Sequence, residues 1–245
     1  MTETQPRTVS VCFLPAELNP EDLPGTTAVI VDILRASTTI TTALSNGAAA
    51  VKPCLSKDEA RAFRTESGDC LLGGERGGLR IDGFDLSNSP ADYAPDVVGG
   101  RTIGFTTTNG TRALLQSQQA NVVLIGAFVN LIAVAERVEA ETGDVAIVCA
   151  GTNDAVTGED VLFAGALARK LESAGMHLTD SALIAATHWS STICETPDLF
   201  EALCQTQGGR NLVGLGFDSD ISLCADVDSL NVVPQLDPDG LIRQT

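Results

Sequence analysis

The feature that most constrains the fold is a regular alternation of short apolar runs with segments of helical periodicity. Runs rich in β-branched residues, typical of buried strands, occupy positions 9–13, 28–34, 49–54, 102–106, 121–125 and 145–149. Apolar residues at helical spacing occupy positions 37–46, 57–66, 110–118, 129–141 and 158–173. Strands separated by helices pair in parallel, with the helices covering the sheet. The sequence therefore predicts an α/β fold of three layers, with mixed or parallel sheets and flanking helices.

Two strand-to-helix passages, residues 28–39 and 145–154, resemble each other. Their likeness raises the hypothesis of two similar subdomains that arose by internal duplication, with a boundary in the predicted helix 129–141. On this hypothesis, residues 1–130 form an N-terminal α/β half that carries most of the polar motifs. Residues 131–245 form a C-terminal α/β half that completes the site.

Composition limits the class of protein. The chain of 245 residues is 44% hydrophobic and carries a formal net charge of −17, which is typical of a packed acidic protein and not of a nucleic-acid binder. No stretch approaches the roughly 20 apolar residues that span a bilayer. The first residues show no basic region followed by an apolar stretch, so we expect no secretory leader. We therefore expect a cytoplasmic protein without nucleic-acid or membrane partners, and we also consider a homodimer. The seven cysteines form no CxxC pair, which argues against a zinc or dithiol site.

The charge is unevenly distributed along the chain. Residues 1–112 contain ten basic and fourteen acidic groups, whereas residues 113–245 contain five and eighteen. An acidic protein repels anions at long range, so an anionic substrate would need a local arginine cluster. The first half supplies such a cluster more readily than the second.

Two polar stretches follow predicted strands and open predicted helices. In Asp32-Ile-Leu-Arg-Ala-Ser-Thr-Thr39, Ser37 or Thr38 can cap the next helix, and helix N-termini behind parallel strands also collect anions. The stretch Thr106-Thr-Thr-Asn-Gly-Thr-Arg112 offers four hydroxyls, an amide and an arginine, which is more than a cap requires. The first stretch fits a simple cap, with Asp32 as a turn residue, whereas the second favours an anion-binding cradle.

Three further stretches carry the other candidate side chains. Gly73-Gly-Glu-Arg-Gly-Gly78 has glycines that allow close backbone approach, yet it matches neither a Walker loop nor the GxGxxG spacing. Gly83-Phe-Asp-Leu-Ser-Asn-Ser-Pro90 fits an Asx turn. Both lie in segment 73–100, which has no clear period and is predicted to be a long loop that folds over the strand ends. Finally, Cys149-Ala-Gly leads to Glu159-Asp160 at a helix start, where acids also stabilise the helix dipole.

These five stretches, taken in their order along the chain, resemble the 2-phosphosulfolactate phosphatase family, a magnesium-dependent group named for a step of coenzyme M biosynthesis. The resemblance rests on Asp32-x-x-Arg35-Ala-Ser-Thr-Thr, Gly73-Gly-Glu-Arg-Gly-Gly78, Gly83-Phe-Asp-x-x-Asn-Ser-Pro90, Thr106-Thr-Thr-Asn-Gly-Thr111, and Cys149-Ala-Gly with Glu159-Asp160. It covers nearly the whole chain. It implies hydrolysis of 2-phospho-3-sulfolactate to 3-sulfolactate and phosphate, with Mg²⁺ as cofactor. The physiological substrate stays open, since related proteins occur where coenzyme M is not made.

A phosphatase needs charge neutralisation around the transferring group, because phosphate monoesters hydrolyse very slowly unaided. We predict a small anionic phosphate ester as substrate. The candidate Mg²⁺ ligands are the carboxylates Asp32, Glu75, Glu159 and Asp160. The predicted catalytic residues are Asp32, Arg35, Glu75 and Arg76, with both arginines on phosphate oxygens. The predicted substrate-binding residues are Ser37, Thr38, Asp85, Asn88, Thr107, Thr108, Asn109, Gly110, Thr111 and Arg112, the last on the sulfonate or carboxylate. A metal-bound water is the default nucleophile, and an aspartyl phosphate on Asp32 stays open.

Other patterns offer alternatives. Cys70 and Arg76 have the spacing of a cysteine phosphatase, but glycines follow the arginine where a helix should begin, so we interpret the match as coincidence. Asp218-Ser-Asp220 is predicted to be a turn. His177 and His188 lack metal-ligand spacing. A noncatalytic module that senses a phosphorylated metabolite, and a phosphatase of another small phospho-acid, are the alternative functions.

Overall fold

One sheet runs through the molecule. The computed structural model describes residues 6–245, and the strands in that part of the chain are β1 Thr8–Cys12, β2 Thr27–Val31, β3 Ala50–Pro53, β4 Cys70–Arg76, β5 Leu79–Arg80, β6 Thr102–Thr106, β7 Val122–Gly126, β8 Val145–Cys149, β9 His177–Leu178, β10 Pro234–Leu236 and β11 Ile242–Gln244. Their order across the sheet is β5-β4-β6-β3-β11-β10-β7-β2-β8-β1-β9.

The sheet is mostly parallel. β2 pairs in parallel with β7 on one side and with β8 on the other, and β6 pairs in parallel with β3 and β4. The antiparallel hairpin of β10 and β11 joins these two groups, because β10 pairs with β7 and β11 pairs with β3. Strands from both sides of residue 130 share this sheet, with β8 lying between β1 and β2. The division into two halves at residue 130 stays a prediction.

Helices cover both faces of the sheet. Within residues 6–245 they are α1 Ala36–Ser45, α2 Lys57–Ser67, α3 Pro95–Val98, α4 Gly110–Gln116, α5 Leu131–Glu139, α6 Gly158–Ser173, α7 Asp180–Glu195, α8 Leu199–Cys204, α9 Gln207–Leu215 and α10 Asp218–Cys224. None of these helices is long and apolar enough to cross a membrane.

Alternate side chains of β2 enter two different hydrophobic clusters. Val29 and Val31 pack in the cluster that contains α5, α6 and α7, whereas Ala28 and Ile30 pack in the cluster that contains α1 and α4. A strand has this pattern when both of its faces are covered. The predicted α/β fold of three layers, helix on sheet on helix, is confirmed.

Segment 73–100 differs most from the sequence prediction. Its first residues belong to β4, and α3 lies near its end, so the prediction of one long loop is wrong. The glycines and the charged pair of the motif interrupt the apolar pattern by which the other strands were found. Because β4 is extended, Cys70 and Arg76 lie about 20 Å apart along it. A phosphate-wrapping loop between them, as in cysteine phosphatases, is therefore excluded.

Candidate functional site

An open cleft of about 550 Å³ lies at the carboxyl ends of the parallel strands. Asp32 follows β2, Glu75 lies at the end of β4 and Thr108 follows β6, and all three line the cleft. The far wall is α9, which contributes Arg210 among others. This edge of a parallel sheet is where α/β proteins commonly bind ligands. The predicted convergence of separate motifs is therefore observed for these three residues.

Asp32 lies between the starts of two helices. Its Oδ1 accepts a hydrogen bond from the Ala36 N–H at 3.4 Å, at the beginning of α1. A Cβ on Gly110, at the start of α4, would lie 2.6 Å from Asp32 Oδ2, so only glycine allows this approach. The hydroxyl of Ser37 does not cap α1 but accepts the Asp32 N–H at 2.9 Å. The predicted cap at Ser37 or Thr38 is thus wrong, since α1 begins earlier, with Arg35 as its cap residue.

The charge on Asp32 is unfavourable in this setting. Burial first, and then the carboxylates of Glu75 and Glu159, raise the pKa of Asp32 to about 7, against the N–H groups of Ala36 and Gly110, which lower it. Near neutral pH the protonated and charged forms of Asp32 are therefore close in free energy, and a nearby cation would favour the charged form. Perturbation of this kind in a cleft is typical of functional carboxylates.

Glu75 organises the glycine motif. Its Oε1 accepts hydrogen bonds from the backbone N–H and the hydroxyl of Thr108, both at 2.9 Å, and its Oε2 accepts the Gly78 N–H at 2.8 Å. Gly74 permits this because its φ is +133° and a Cβ there would lie 1.9 Å from the Thr106 carbonyl oxygen. Glu75 therefore joins the glycine motif at residues 73–78 to the threonine-rich motif at residues 106–112.

Arg35 is buried, with 2% of its surface exposed. Its Nη1 donates to Asp220 Oδ2, and its Nη2 donates to the Gly78 carbonyl oxygen at 2.7 Å. The guanidinium carbon also lies 4.6 Å from the centre of the Phe217 ring. Ser89 donates to the second oxygen of Asp220 at 2.6 Å. Arg35 therefore faces the cleft from a fixed position.

The sequence analysis did not select Asp220 as a site residue. The predicted turn at Asp218-Ser-Asp220 is wrong, because these residues form the first turn of α10. Asp220 is 2% exposed, and it provides the negative charge that the buried guanidinium of Arg35 requires.

Glu159 and Asp160 begin α6, yet they have different surroundings. Asp160 accepts the Ile33 N–H at 2.9 Å and the Gly151 N–H at 3.0 Å, so it ties the end of β2 to the end of β8. Burial, the Glu159 carboxylate and the Asp32 carboxylate raise the pKa of Asp160. Glu159 is 2% exposed, and its Oε2 has no hydrogen-bond partner in the described part of the chain. Such an orphaned buried oxygen favours a bound cation or a proton.

Arg76 and Arg112 lie outside the cleft lining. Arg76 donates to the Glu75 carbonyl oxygen at 2.6 Å and to the Thr106 hydroxyl at 2.9 Å, so it stabilises its own strand end. Arg112 is exposed and pairs with Asp154 at 2.8 Å. Neither guanidinium lines the cleft, and the contacts of both with the substrate stay predictions.

Several other predicted substrate-binding residues have structural contacts. Asp85 is exposed and accepts hydrogen bonds from the Leu72 N–H at 2.8 Å and from Arg64 at 3.0 Å. Thr38 is buried and donates to the Ile33 carbonyl oxygen at 3.2 Å. The buried hydroxyls of Thr107 and Thr111 lie 3.5 Å apart and line a separate small cavity, not the cleft.

Asn88 and Asn109 do line the cleft. The Oδ1 of Asn88 is buried without a hydrogen-bond partner among the described residues. Asn109 precedes α4 but makes no capping bond, and its Oδ1 instead accepts the Asn153 N–H at 3.3 Å. Capping alone therefore does not explain Asn109.

Comparison with known proteins assigns the family. The sequence model described as 2-phosphosulpholactate phosphatase matches residues 12–239. The chain belongs to the 2-phosphosulfolactate phosphatase family. A protein of Caldanaerobacter subterraneus subsp. tengcongensis named "Probable 2-phosphosulfolactate phosphatase" is 40% identical over 228 residues, which are 92% of this chain and 93% of that protein. A Synechococcus protein of the same name is 40% identical over 247 residues, 96% of this chain and 98% of its own length.

The family is one of phosphoric monoester hydrolases. One wall of the cleft carries residues that the sequence analysis did not select. Arg210 and Asn211 of α9 line the cleft more than 130 residues after Glu75 along the chain. No local pattern marks them, and the second half of the chain was expected to contribute few arginines. Gly208, also in α9, packs against Glu159, because a Cβ there would lie 2.1 Å from Glu159 Oε1.

The donor set fits Mg²⁺ only in part. Within residues 6–245, no group of three or more Asp, Glu, His or Cys side chains is arranged around a common metal position. Asp160 and Glu75 already accept hydrogen bonds on both oxygens. Asp32 accepts only a long bond of 3.4 Å from the Ala36 N–H and lies close to the Gly110 N–H, and Oε2 of Glu159 has no partner among the described residues. These two carboxylates have the most free acceptor capacity, although Glu159 is not among the residues that line the cleft. Two carboxylates suffice, because Mg²⁺ commonly keeps several waters and takes substrate phosphate oxygens.

Proposed function

We propose that the chain hydrolyses 2-phospho-3-sulfolactate to 3-sulfolactate and inorganic phosphate in this cleft, with Mg²⁺. The observation that carries the proposal is that Asp32, Glu75 and Arg35 converge in one cleft. Burial and the carboxylates of Glu75 and Glu159 raise the pKa of Asp32 there to about 7. Carboxylates beside a phosphate are unfavourable unless a cation lies between them. The names of the relatives supply the substrate.

Asp32 and Glu159 would hold the cation, for the reasons given above. The bound ion would supply positive charge that neutralises the phosphate oxygens and activates water. A sensor of a phosphorylated metabolite would not need these crowded acids, since they weaken anion binding in the absence of a cation.

The remaining groups of the cleft position the ester. Arg35 is fixed by Asp220 and the Gly78 carbonyl oxygen, so its charge is directed at the cleft before the substrate arrives. Such preorganised positive charge stabilises the negative charge of the transferring phosphoryl group. Asn109, which has no capping task, is placed to donate to a ligand oxygen. In the reaction, the oxygen of a water molecule bonds to phosphorus and gives up a proton, the bond from phosphorus to the C2 oxygen breaks, and the C2 oxygen takes up a proton.

The proposal is tested by measuring phosphate release from 2-phospho-3-sulfolactate and from a panel of small phosphate monoesters. We expect the highest kcat/KM with phosphosulfolactate, loss of turnover in EDTA and recovery with Mg²⁺. The Cys70→Ser variant should stay active, because Cys70 lies at the far end of β4. Faster turnover of another phospho-acid would change the assigned substrate. Turnover that EDTA leaves intact would contradict the role of the metal.

A further inference from the structure

The cleft has a charge deficit for the substrate proposed above. Phosphosulfolactate carries a carboxylate and a sulfonate in addition to the phosphate that is transferred. The cleft is lined by the acids Asp32 and Glu75, in a protein with a net charge of −17. One metal ion at the phosphate end leaves the other two anionic groups without a partner. Positive charge must therefore come from the cleft wall.

Arg35 does not meet this need. Of the described residues, Arg35 and Arg210 are the cationic side chains that line the cleft. Arg35 is buried against Asp220, which offsets its charge, and a second nitrogen is committed to the Gly78 carbonyl oxygen. The N–H groups of Arg35 that remain free would bind the phosphate of the substrate, since Arg35 lies close to the glycine motif.

Arg210 differs from Arg35 in its exposure and in its ion pairing. It is exposed on α9, and its Nη1 donates to the carbonyl oxygen of Gln205 in the preceding turn. No carboxylate among residues 6–245 lies within salt-bridge distance of it. By contrast, the charge of Arg112, which the sequence favoured for this task, is offset by Asp154. The charge of Arg210 is therefore uncompensated and available at the cleft.

We infer that Arg210 binds a non-transferred anionic group of the substrate, the sulfonate or the carboxylate, and so sets substrate specificity. This inference rests on the proposed function. The planar guanidinium suits two oxygens of either group. The side chains of Asn211 and Asn153 line the same cleft and can add neutral hydrogen bonds. Since Arg210 acts away from the reacting phosphorus, its loss should raise KM more than it lowers kcat.

The test compares wild type, Arg210→Gln and the matched control Arg169→Gln. Arg169 is on α6, pairs with Glu172 and does not line this cleft, so the control makes the same change in net charge. Each protein is assayed with 2-phospho-3-sulfolactate and with 2-phospholactate, which lacks the sulfonate. For Arg210→Gln we expect KM for phosphosulfolactate to rise about 10- to 100-fold, the range for hydrogen bonds to a charged group. Arg169→Gln should match wild type.

The outcomes separate the two proposals. Failure of wild type to release phosphate would refute the proposed function. Titration of 3-sulfolactate into wild type and Arg210→Gln then tests the inference alone, and weaker binding by the variant supports it. A KM rise confined to phosphosulfolactate assigns the sulfonate, and a rise with both esters assigns the carboxylate. Unchanged KM and unchanged sulfolactate affinity in Arg210→Gln, or an equal effect of Arg169→Gln, would overturn the inference.

Discussion

At the scale of single residues, the raised pKa of Asp32 makes the stability of the fold depend on pH. In the metal-free protein its carboxyl has a pKa of about 7 when folded and the ordinary value of 3.8 when unfolded. Between these values the folded state holds the extra proton, so the free energy of unfolding falls as pH rises through this window and levels off above it. The charged form of Asp32 therefore lowers the stability of the metal-free fold at neutral pH.

Asp32→Asn should therefore stabilise the metal-free protein. Asparagine keeps the hydrogen-bond acceptor of Asp32 but removes the repelled charge, so we expect about 1 to 3 kcal/mol of added stability at pH 8 and almost none at pH 4. Urea unfolding in EDTA at both pH values measures this. Asp58→Asn, at an exposed position on α2, is the charge-matched control and should change little. A destabilised Asp32→Asn at pH 8 would show that the raised pKa of Asp32 is wrong.

Asp220 should be more important for stability than its neighbour Ser89. Asp220→Asn leaves the buried guanidinium of Arg35 without a counter-charge, and breaking a buried pair typically lowers stability by about 3 to 5 kcal/mol. Ser89→Ala removes one hydrogen bond to the same carboxylate and should lower it by about 1 to 3 kcal/mol. Denaturant unfolding of both variants gives the comparison. An equal or smaller loss in Asp220→Asn would mean that the pair contributes little.

At the scale of elements, the approach of α9 to α6 depends on one glycine. A Cβ at Gly208 would lie 2.1 Å from Glu159 Oε1, whereas a Cβ at Gly214 of the same helix meets open space. Gly208→Ala should therefore lower the free energy of unfolding by about 1 to 3 kcal/mol through overpacking. Gly214→Ala should raise it by about 0.5 to 1 kcal/mol through helix propensity. Thermal unfolding of the two variants tests the contact, and equal shifts of one sign would argue against it.

Elements with one strong local pattern were predictable, and those that depend on tertiary contacts were not. β2 and β8 are predictable because four and five consecutive apolar residues, respectively, have few alternatives to a buried strand. β4 was misread, since Gly73 and Gly74 serve its close approach to β6 and remove the apolar signal. Asp32, Arg35 and Glu75 line one cleft because motifs at strand ends converge, and their catalytic roles stay predictions. Arg210 and Asp220 come from helices far along the chain, and no local spacing relates them to the site.

At the scale of the whole molecule, the net charge of −17 opposes an anionic substrate. Salt shortens the range of this repulsion, from about 30 Å at 0.01 M to about 8 Å at 0.15 M ionic strength. At fixed free Mg²⁺, kcat/KM should therefore rise over this range, mainly through KM. Sucrose, which does not screen charge, is the control. The salt varied is KCl. A fall in kcat/KM as KCl is added would show that local arginines, and not the net charge of the protein, dominate the approach of the substrate.

The central claim is that the cleft around Asp32 is where the phosphate ester is hydrolysed. The most direct measurement is kcat/KM for phosphate release from 2-phospho-3-sulfolactate by wild type and folded Asp32→Asn at saturating Mg²⁺. We expect the variant to lose at least about 100-fold, the effect of removing one preorganised electrostatic group, and to lose its response to Mg²⁺. A folded Asp32→Asn protein with wild-type kcat/KM and an unchanged response to Mg²⁺ would contradict the account.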